Sequence, residues 1–248
     1  IKFIIYENNL IIGKANKILL PFSNRILVSK KELEGIPKKY SNKVFEIGNI
    51  INKEIIFFSN KADDSTIQKL NILVLGGSQA AKIFAEILPN IFKQCIISGV
   101  NLKIYQQCMP SQNEYLKNFY KKMNIEYEIF NFSTNLIKYF SKVNLAITRS
   151  GSSMLAELTN VKIPFVSVPL PTSKDNHQLK NAFYYQRKDL SFLVEEKDLN
   201  KKLYSLIKEI YHNRSLLDKI TINQSQFSDK NVYENISKIL KEILDEKN

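Results

Sequence analysis

The run Thr148-Arg149-Ser150-Gly151-Ser152-Ser153-Met154-Leu155-Ala156-Glu157 concentrates more groups able to do chemistry than any other stretch of the chain. Ahead of it, Leu145-Ala146-Ile147 reads as the end of a buried strand, and from Met154 to Thr159 it reads as the first turns of a helix. A tight strand-to-helix connection of glycine and serines presents backbone N–H groups at the positive end of a helix dipole, and such a loop can hold an anion. Glu157 stands near the helix start, where a capping box would need Ser or Thr three residues earlier; that position holds Met154. Two readings of Glu157 stay open: a carboxylate that binds a ligand, or a first-turn acid that only complements the dipole.

Three further stretches carry chemistry. Asn71-Ile72-Leu73-Val74-Leu75 is a clear strand that runs into Gly76-Gly77-Ser78-Gln79-Ala80-Ala81, with a helix expected from there to about Leu88 and closed by Pro89. Its glycines let backbone approach a phosphate and Ser78 adds a hydroxyl. The loop lacks both G-x-G-x-x-G and a Walker lysine, which excludes NAD and P-loop readings. Pro171 to Gln178 is a polar loop before a helix opening at Leu179-Lys180-Asn181-Ala182. Its amides and imidazole can donate and accept, as sugar hydroxyls require; His177 is equally readable as an ordinary surface histidine. Glu7-Asn8-Asn9 falls between a strand at 2–6 and the segment Leu10 to Lys17, at the carboxyl end of a sheet where open α/β folds bind ligands. Asx residues there are also ordinary caps.

The elements that must position these loops alternate. Arg25 to Ser29 and Lys43 to Asn49 read as short strands, and the polar segment Asn60 to Lys69 as a linker at a domain boundary. Apolar runs at Gln94–Ser98, Asn101–Gln106 and Ile125–Phe130 follow at α/β spacing, which puts Cys95 in a core strand. Phe132 to Lys142 reads as a helix with Leu136, Ile137 and Phe140 on one face, and Ile163 to Leu170 as a strand with prolines at its ends. Residues 198–212 and 231–246 read as amphipathic helices, the second with Val232, Ile236, Ile239, Leu240 and Ile243 in a core-facing stripe. The alternation predicts an α/β fold, a parallel sheet with helices on both faces.

Composition limits the function classes. An apolar fraction of 44% in 248 residues fills a core, and no stretch reaches the roughly 18 to 20 apolar residues of a membrane span. No signal peptide shows, so a cytoplasmic chain is expected. The opening residue is Ile1 inside a strand-like segment, which suggests a fragment or a chain with an upstream half elsewhere. Net charge is +12, from 36 Lys and Arg against 24 Asp and Glu. That points either to an anionic partner or to a general drift toward Lys, Ile and Asn. Zinc-finger spacing and aromatic ribonucleoprotein signatures are absent, so nucleic acid is not expected. Two cysteines and two histidines at unrelated spacings assemble no metal site, and no cofactor is expected.

Taken together, Gly76-Gly77-Ser78-Gln79, Arg149-Ser150-Gly151 through Glu157, and Asn176-His177-Gln178 with Asn181-Ala182 resemble the MurG family, as does Tyr6-Glu7-Asn8-Asn9 with Gly13 and Ala15-Asn16-Lys17. Order and separation agree along nearly the whole chain. The resemblance implies a GT-B architecture: two Rossmann-like domains facing across a cleft, here residues 70–226 as the donor domain, 1–58 as the tail of the acceptor domain, 59–69 as linker and 227–248 as a C-terminal helix that packs back on the first domain. It implies a peptidoglycan-synthesis glycosyltransferase moving GlcNAc from UDP-GlcNAc to undecaprenyl-pyrophosphoryl-MurNAc-pentapeptide (lipid I to lipid II) with inversion, in peripheral contact with an anionic membrane at the cytoplasmic face of the bacterial inner membrane.

By the same resemblance the UDP-GlcNAc site takes Asn9, Ser78, Gln79, Ser133, the run Arg149, Ser150, Gly151, Ser152, Ser153, Met154, Leu155, Ala156 and Glu157, then His177, Gln178 and Asn181. Ser78 would meet a phosphate, the backbone of Ser133 would contact uracil, residues 152–157 would cradle the nucleotide with Glu157 on the ribose hydroxyls, His177 and Gln178 would hold GlcNAc, and Asn9 would lie on the acceptor side. The sequence departs from the family at Asn52, where the family has an arginine, at Ala80, where it has a glycine, and in having no counterpart of the N-terminal glycine-rich loop with its histidine. No catalytic base is assigned. Two alternatives stand beside this reading: another GT-B enzyme of UDP-sugars, such as a glycolipid synthase or a UDP-GlcNAc 2-epimerase, and a non-catalytic UDP-sugar-binding remnant that needs a second polypeptide.

Overall fold

The computed structural model describes residues 2–58, 69–133 and 135–245, and of residues 78–81 the backbone alone. The expected linker therefore falls, apart from Lys69, outside the described residues. Two parallel sheets organise the chain. The smaller has the order β1 (Ile4–Glu7), β2 (Arg25–Val28), β3 (Val44–Glu46). The larger joins six strands: β4 (Leu70–Leu75), β5 (Leu102–Gln107), β6 (Glu126–Phe130), β7 (Leu145–Thr148), β8 (Phe165–Ser167) and β9 (Phe192–Leu193). Their spatial order is β6-β5-β4-β7-β8-β9, all parallel. Numbered within that sheet this is 3-2-1-4-5-6, so the direction of winding reverses between β4 and β7. β4 and β7 are buried at every position, as near-continuous apolar strands covered on both faces must be.

One face carries α3 (Gly77–Ile97), α4 (Asn113–Lys122) and α8 (Tyr204–His212), with Phe84, Leu88, Phe92, Leu116 and Ile207 against Ile72, Val74 and Ile104. The other carries α5 (Ile137–Phe140), α6 (Ser152–Asn160) and α7 (His177–Arg187), with Phe140, Leu155, Leu158 and Tyr185 against Leu73, Ala146 and Phe165. The short helices α1 (Lys14–Leu19) and α2 (Lys53–Ile56) follow β1 and β3, α9 (Ser215–Ser225) follows α8, and α10 (Val232–Asp245) ends the described chain. From α10, Asn235 donates to Ile47 O at 3.3 Å and Tyr233 to Ile51 O at 2.8 Å.

Several sequence expectations are corrected here. Pro89 does not close a helix: α3 runs through it to Ile97, and Gln94–Ser98 is its last turn rather than a strand, so Cys95 is a helical core residue. A proline inside a helix costs about 3 kcal/mol. Continuing the helix buries Ile91, Phe92 and Cys95 completely, and each large apolar side chain returns roughly 1.5–3 kcal/mol, so burial wins. The helix expected over Phe132 to Lys142 shrinks to α5. Ser133 Oγ accepts from Asn135 N and donates to Asn135 O, both at 3.2 Å, a local turn that competes with helix formation. α7 starts at His177, two residues before the expected Leu179. In α10 the stripe holds at Val232, Ile239 and Ile243, but Leu240 is exposed. α9 was not anticipated; its Leu217 and Ile220 are buried.

Candidate functional site

The β4–α3 and β7–α6 loops meet at the reversal point of the sheet and line a cavity of about 850 Å³, a volume suited to a small-molecule ligand. Both helices begin there on glycines. Gly77 has φ +65°, a conformation that favours glycine, and a Cβ on it would meet nothing within 4 Å. Gly151 has ordinary φ −68° and equally open space ahead of it. Neither glycine is demanded by packing, so both leave room for what enters the cavity. Neither α3 nor α6 has a side-chain cap. Their first N–H groups and dipole ends therefore face the cavity as an anion-binding pair.

Glu157 lines the same wall, one and a half turns into α6. Its carboxylate makes no hydrogen bond or ion pair among the described residues, and burial pushes its pKa above the ordinary carboxylate value. A desolvated carboxylate without a protein partner is costly to the fold. Its place beyond the first turn of α6 removes the dipole reading.

Gln178, at the start of α7, also lines the cavity. Its Oε1 accepts from Ser150 N at 3.2 Å and Leu170 N at 3.0 Å. Two N–H donors fix the amide orientation and leave Nε2 as a directed donor. Ser133, Arg149 and Met154 are further expected residues that line the cavity, and Asn52 lines it while capping α2 through a 2.9 Å bond from Glu54 N.

Other expected ligand residues are used by the protein itself. The Arg149 guanidinium donates to Val168 O and Pro169 O at 3.3 Å, pairs with Glu196 and packs over the Phe84 ring. It reaches the cavity edge but fastens the loop to the ends of β8 and β9, where it was expected to hold the donor. Asn181 is 1% exposed; it accepts from Leu10 N at 3.1 Å and donates to Asn9 Oδ1 at 3.2 Å and Ser150 O at 3.1 Å. It ties the β1 loop to the β7–α6 loop, and Asn9 is its partner in that brace. Leu155 and Ala156 point into the core, and Ser150 is wholly buried. Ser152 lies outside the cavity lining, and Ser153 accepts from Asn8 Nδ2 at 3.3 Å across the two sheets. His177 lies outside the cavity lining, with Nδ1 2.7 Å from Lys174 O. The side chains of Ser78 and Gln79 are outside the described residues.

Two residues with clear roles carried no signal as ligands or were read differently. Glu7 accepts from Asn9 N, Asn9 Nδ2, Gly13 N and Asn16 Nδ2 at 2.9–3.1 Å; the acid of the Tyr6-Glu7-Asn8-Asn9 segment shapes its own loop. Gln107, at the end of β5, lines the cavity and has no local motif around it that would have singled it out. Among the described residues no group of three His, Cys, Asp or Glu gathers.

A family description, the glycosyltransferase family 28 C-terminal domain, matches residues 71–244. The chain belongs to glycosyltransferase family 28. The matched region contains both glycine loops, Glu157 and Gln178. Among relatives of the family 28 chain, the UDP-N-acetylglucosamine–N-acetylmuramyl-(pentapeptide) pyrophosphoryl-undecaprenol N-acetylglucosamine transferase of Pelagibacter ubique (strain HTCC1062) is 35% identical over 240 residues, which is 96% of this chain and 66% of that protein. The enzyme of the same name from Rickettsia canadensis (strain McKiel) is 30% identical over 90% of this chain and 64% of its own length. The chain thus spans just under two thirds of the curated relatives it matches. The crystal structure of Acinetobacter baumannii MurG superimposes with a TM-score of 0.78 at 22% identity, over 98% of this chain and 67% of that one. The shared fold is GT-B, with the six-stranded sheet as its C-terminal Rossmann-like domain.

Proposed function

We propose that this chain carries the donor site of an inverting GlcNAc transferase, taking UDP-GlcNAc as donor and undecaprenyl-pyrophosphoryl-MurNAc-pentapeptide as acceptor, the reaction in the relatives' names. The observation that carries the proposal is the meeting of two uncapped helix N-termini with an unpartnered carboxylate in one cavity. The helix ends offset the charge that develops on the leaving diphosphate as the acceptor's C4 hydroxyl attacks the anomeric carbon. Glu157 accepts from the two ribose hydroxyls. Gln178 donates Nε2–H to a sugar hydroxyl, its carbonyl being held by Ser150 and Leu170. The N-terminus of α6 contributes through its backbone, which explains how Leu155 and Ala156 belong to the loop while their side chains fill the core.

Calorimetric titration with UDP and UDP-GlcNAc tests the reading. Glu157→Ala should weaken both ligands, by roughly 10- to 100-fold for bonds to a charged group. Gln178→Ala should weaken UDP-GlcNAc and leave UDP nearly unchanged. A folded wild type that binds neither ligand would sink the proposal.

The lipid acceptor requires the protein to work at a membrane surface. No described helix is long and apolar enough to cross one, and the +12 charge supports peripheral attachment to anionic lipid at the cytoplasmic face. Sedimentation with vesicles should show binding that needs phosphatidylglycerol and fades between 0.05 and 0.5 M salt, over which range the screening length shortens to about 4 Å. Binding indifferent to lipid charge would refute the electrostatic part.

A further inference from the structure

β5 ends in two successive glutamines whose side chains leave opposite faces of the sheet. Gln106 is wholly buried and accepts from the Tyr120 hydroxyl on α4. Gln107 is 7% exposed and lines the cavity on the other face. Its side chain makes no hydrogen bond among the described residues, and its amide atoms are open to the cavity rather than sealed off. With little water contact and no protein partner, the amide reaches only the cavity. The hydrogen-bonding capacity of Gln107 is directed at the cavity's occupant.

Its place in the sheet says which part of the occupant. Gln107 is in register with Phe130 on β6, while its neighbour Gln106 is in register with Val74 on β4. Gln107 therefore stands between the Leu75-Gly76 turn and the Phe132-Ser133 segment. This end of the cavity is lined by Phe132, Leu136 and Ile137. Among the described residues the one cation on the lining, Arg149, is bonded elsewhere. The diphosphate belongs at the helix N-termini, and a planar heterocycle with a few polar atoms fits the apolar end.

Resting on the donor-site reading above, we infer that Gln107 is a base-recognition residue, donating Nε2–H to the O4 carbonyl oxygen of the uracil ring. The test is titration of wild type, Gln107→Met and Gln107→Glu with UDP and CDP, with a thermal melt of each. Gln107→Met removes the donor without changing volume and should weaken UDP about five- to tenfold, as one lost hydrogen bond does, with no fall in Tm. Gln107→Glu offers only acceptors and should move the UDP-to-CDP preference toward CDP, whose ring amino group donates. Packing damage alone would lower Tm and weaken both nucleotides equally. UDP affinity within twofold of wild type in both variants, or an unmoved UDP-to-CDP ratio in Gln107→Glu, overturns the inference for Gln107 alone. A wild type that binds neither nucleotide overturns the donor-site reading and this inference with it.

Discussion

Removing the Asp229 carboxylate should destabilise this protein more than any change at its cavity. Asp229 is 6% exposed and joins three segments distant in sequence. Its oxygens accept from Asn49 N at 2.8 Å, Asn49 Nδ2 at 3.3 Å and Asn160 Nδ2 at 2.7 Å, and its own N–H donates to Asn160 Oδ1 at 3.0 Å. Asp229→Ala leaves three donors without their acceptor, each worth about 1–3 kcal/mol where water cannot replace it. Partial entry of water brings the expected loss to about 3 kcal/mol, or roughly 6–12 °C in Tm for a chain of this size. Asp229→Asn should do little better, since one amide NH₂ must then face a donor. Gly48 gives an independent handle. At φ +94° its added Cβ would stand 2.6 Å from Asp229 Oδ1, so Gly48→Ala combines backbone strain with a clash. Because Asp229→Ala also removes the clashing atom, the double variant should be more stable than the sum of the single losses by about 1 kcal/mol or more. Thermal and urea unfolding of the four proteins measure this cycle. A fall in Tm below 2 °C for Asp229→Ala, or strict additivity with Gly48→Ala, would refute the clasp.

Two further outcomes follow from buried charge. Burial raises the folded-state pKa of Glu157, so its contribution to stability is fully present below the unfolded carboxylate pKa and is lost as pH rises through the folded one. Glu157→Gln should therefore melt higher than wild type at pH 7–8 and approach it near pH 4, while weakening UDP roughly 10- to 100-fold; a Tm difference independent of pH would contradict the assignment. Arg149→Lys loses the forked contacts to Val168 O, Pro169 O and Glu196 and should cost about 2 kcal/mol in stability. It should leave UDP affinity within a few-fold in the folded fraction, and a large affinity loss without a stability loss would return Arg149 to the ligand.

The strands β4, β7 and β8 were legible because their signal is local: short apolar runs ending in glycine or polar loops mark them wherever they pack. Boundaries set by tertiary burial were not. Pro89 is a sound stop signal by itself, and only the core waiting for Ile91, Phe92 and Cys95 overrides it. Conversely, Phe132 to Lys142 has helical periodicity, but the Ser133 side chain closes a turn on Asn135 that periodicity does not register. The Asp229 clasp was invisible for a third reason: its partners at 49 and 160 are brought together only by the fold.

The same distinction separates true cavity groups from the motifs that contain them. A motif marks residues needed for a site without saying whether each touches the ligand or holds the ones that do. Asn181 and Glu7 have their polar atoms matched by the protein, and Arg149 has its terminal nitrogens matched but not Nε; substitution of any of them acts first on the loops they tie. Glu157 and Gln107 are desolvated and unmatched, and Gln178 is matched at its oxygen only. Glu157 and Gln178 lie inside recognisable motifs and Gln107 does not, yet all three are left incomplete in one cavity. Incomplete bonding at the wall of one cavity is the ground on which we propose all three as ligand contacts, Gln107 on the same ground as Glu157.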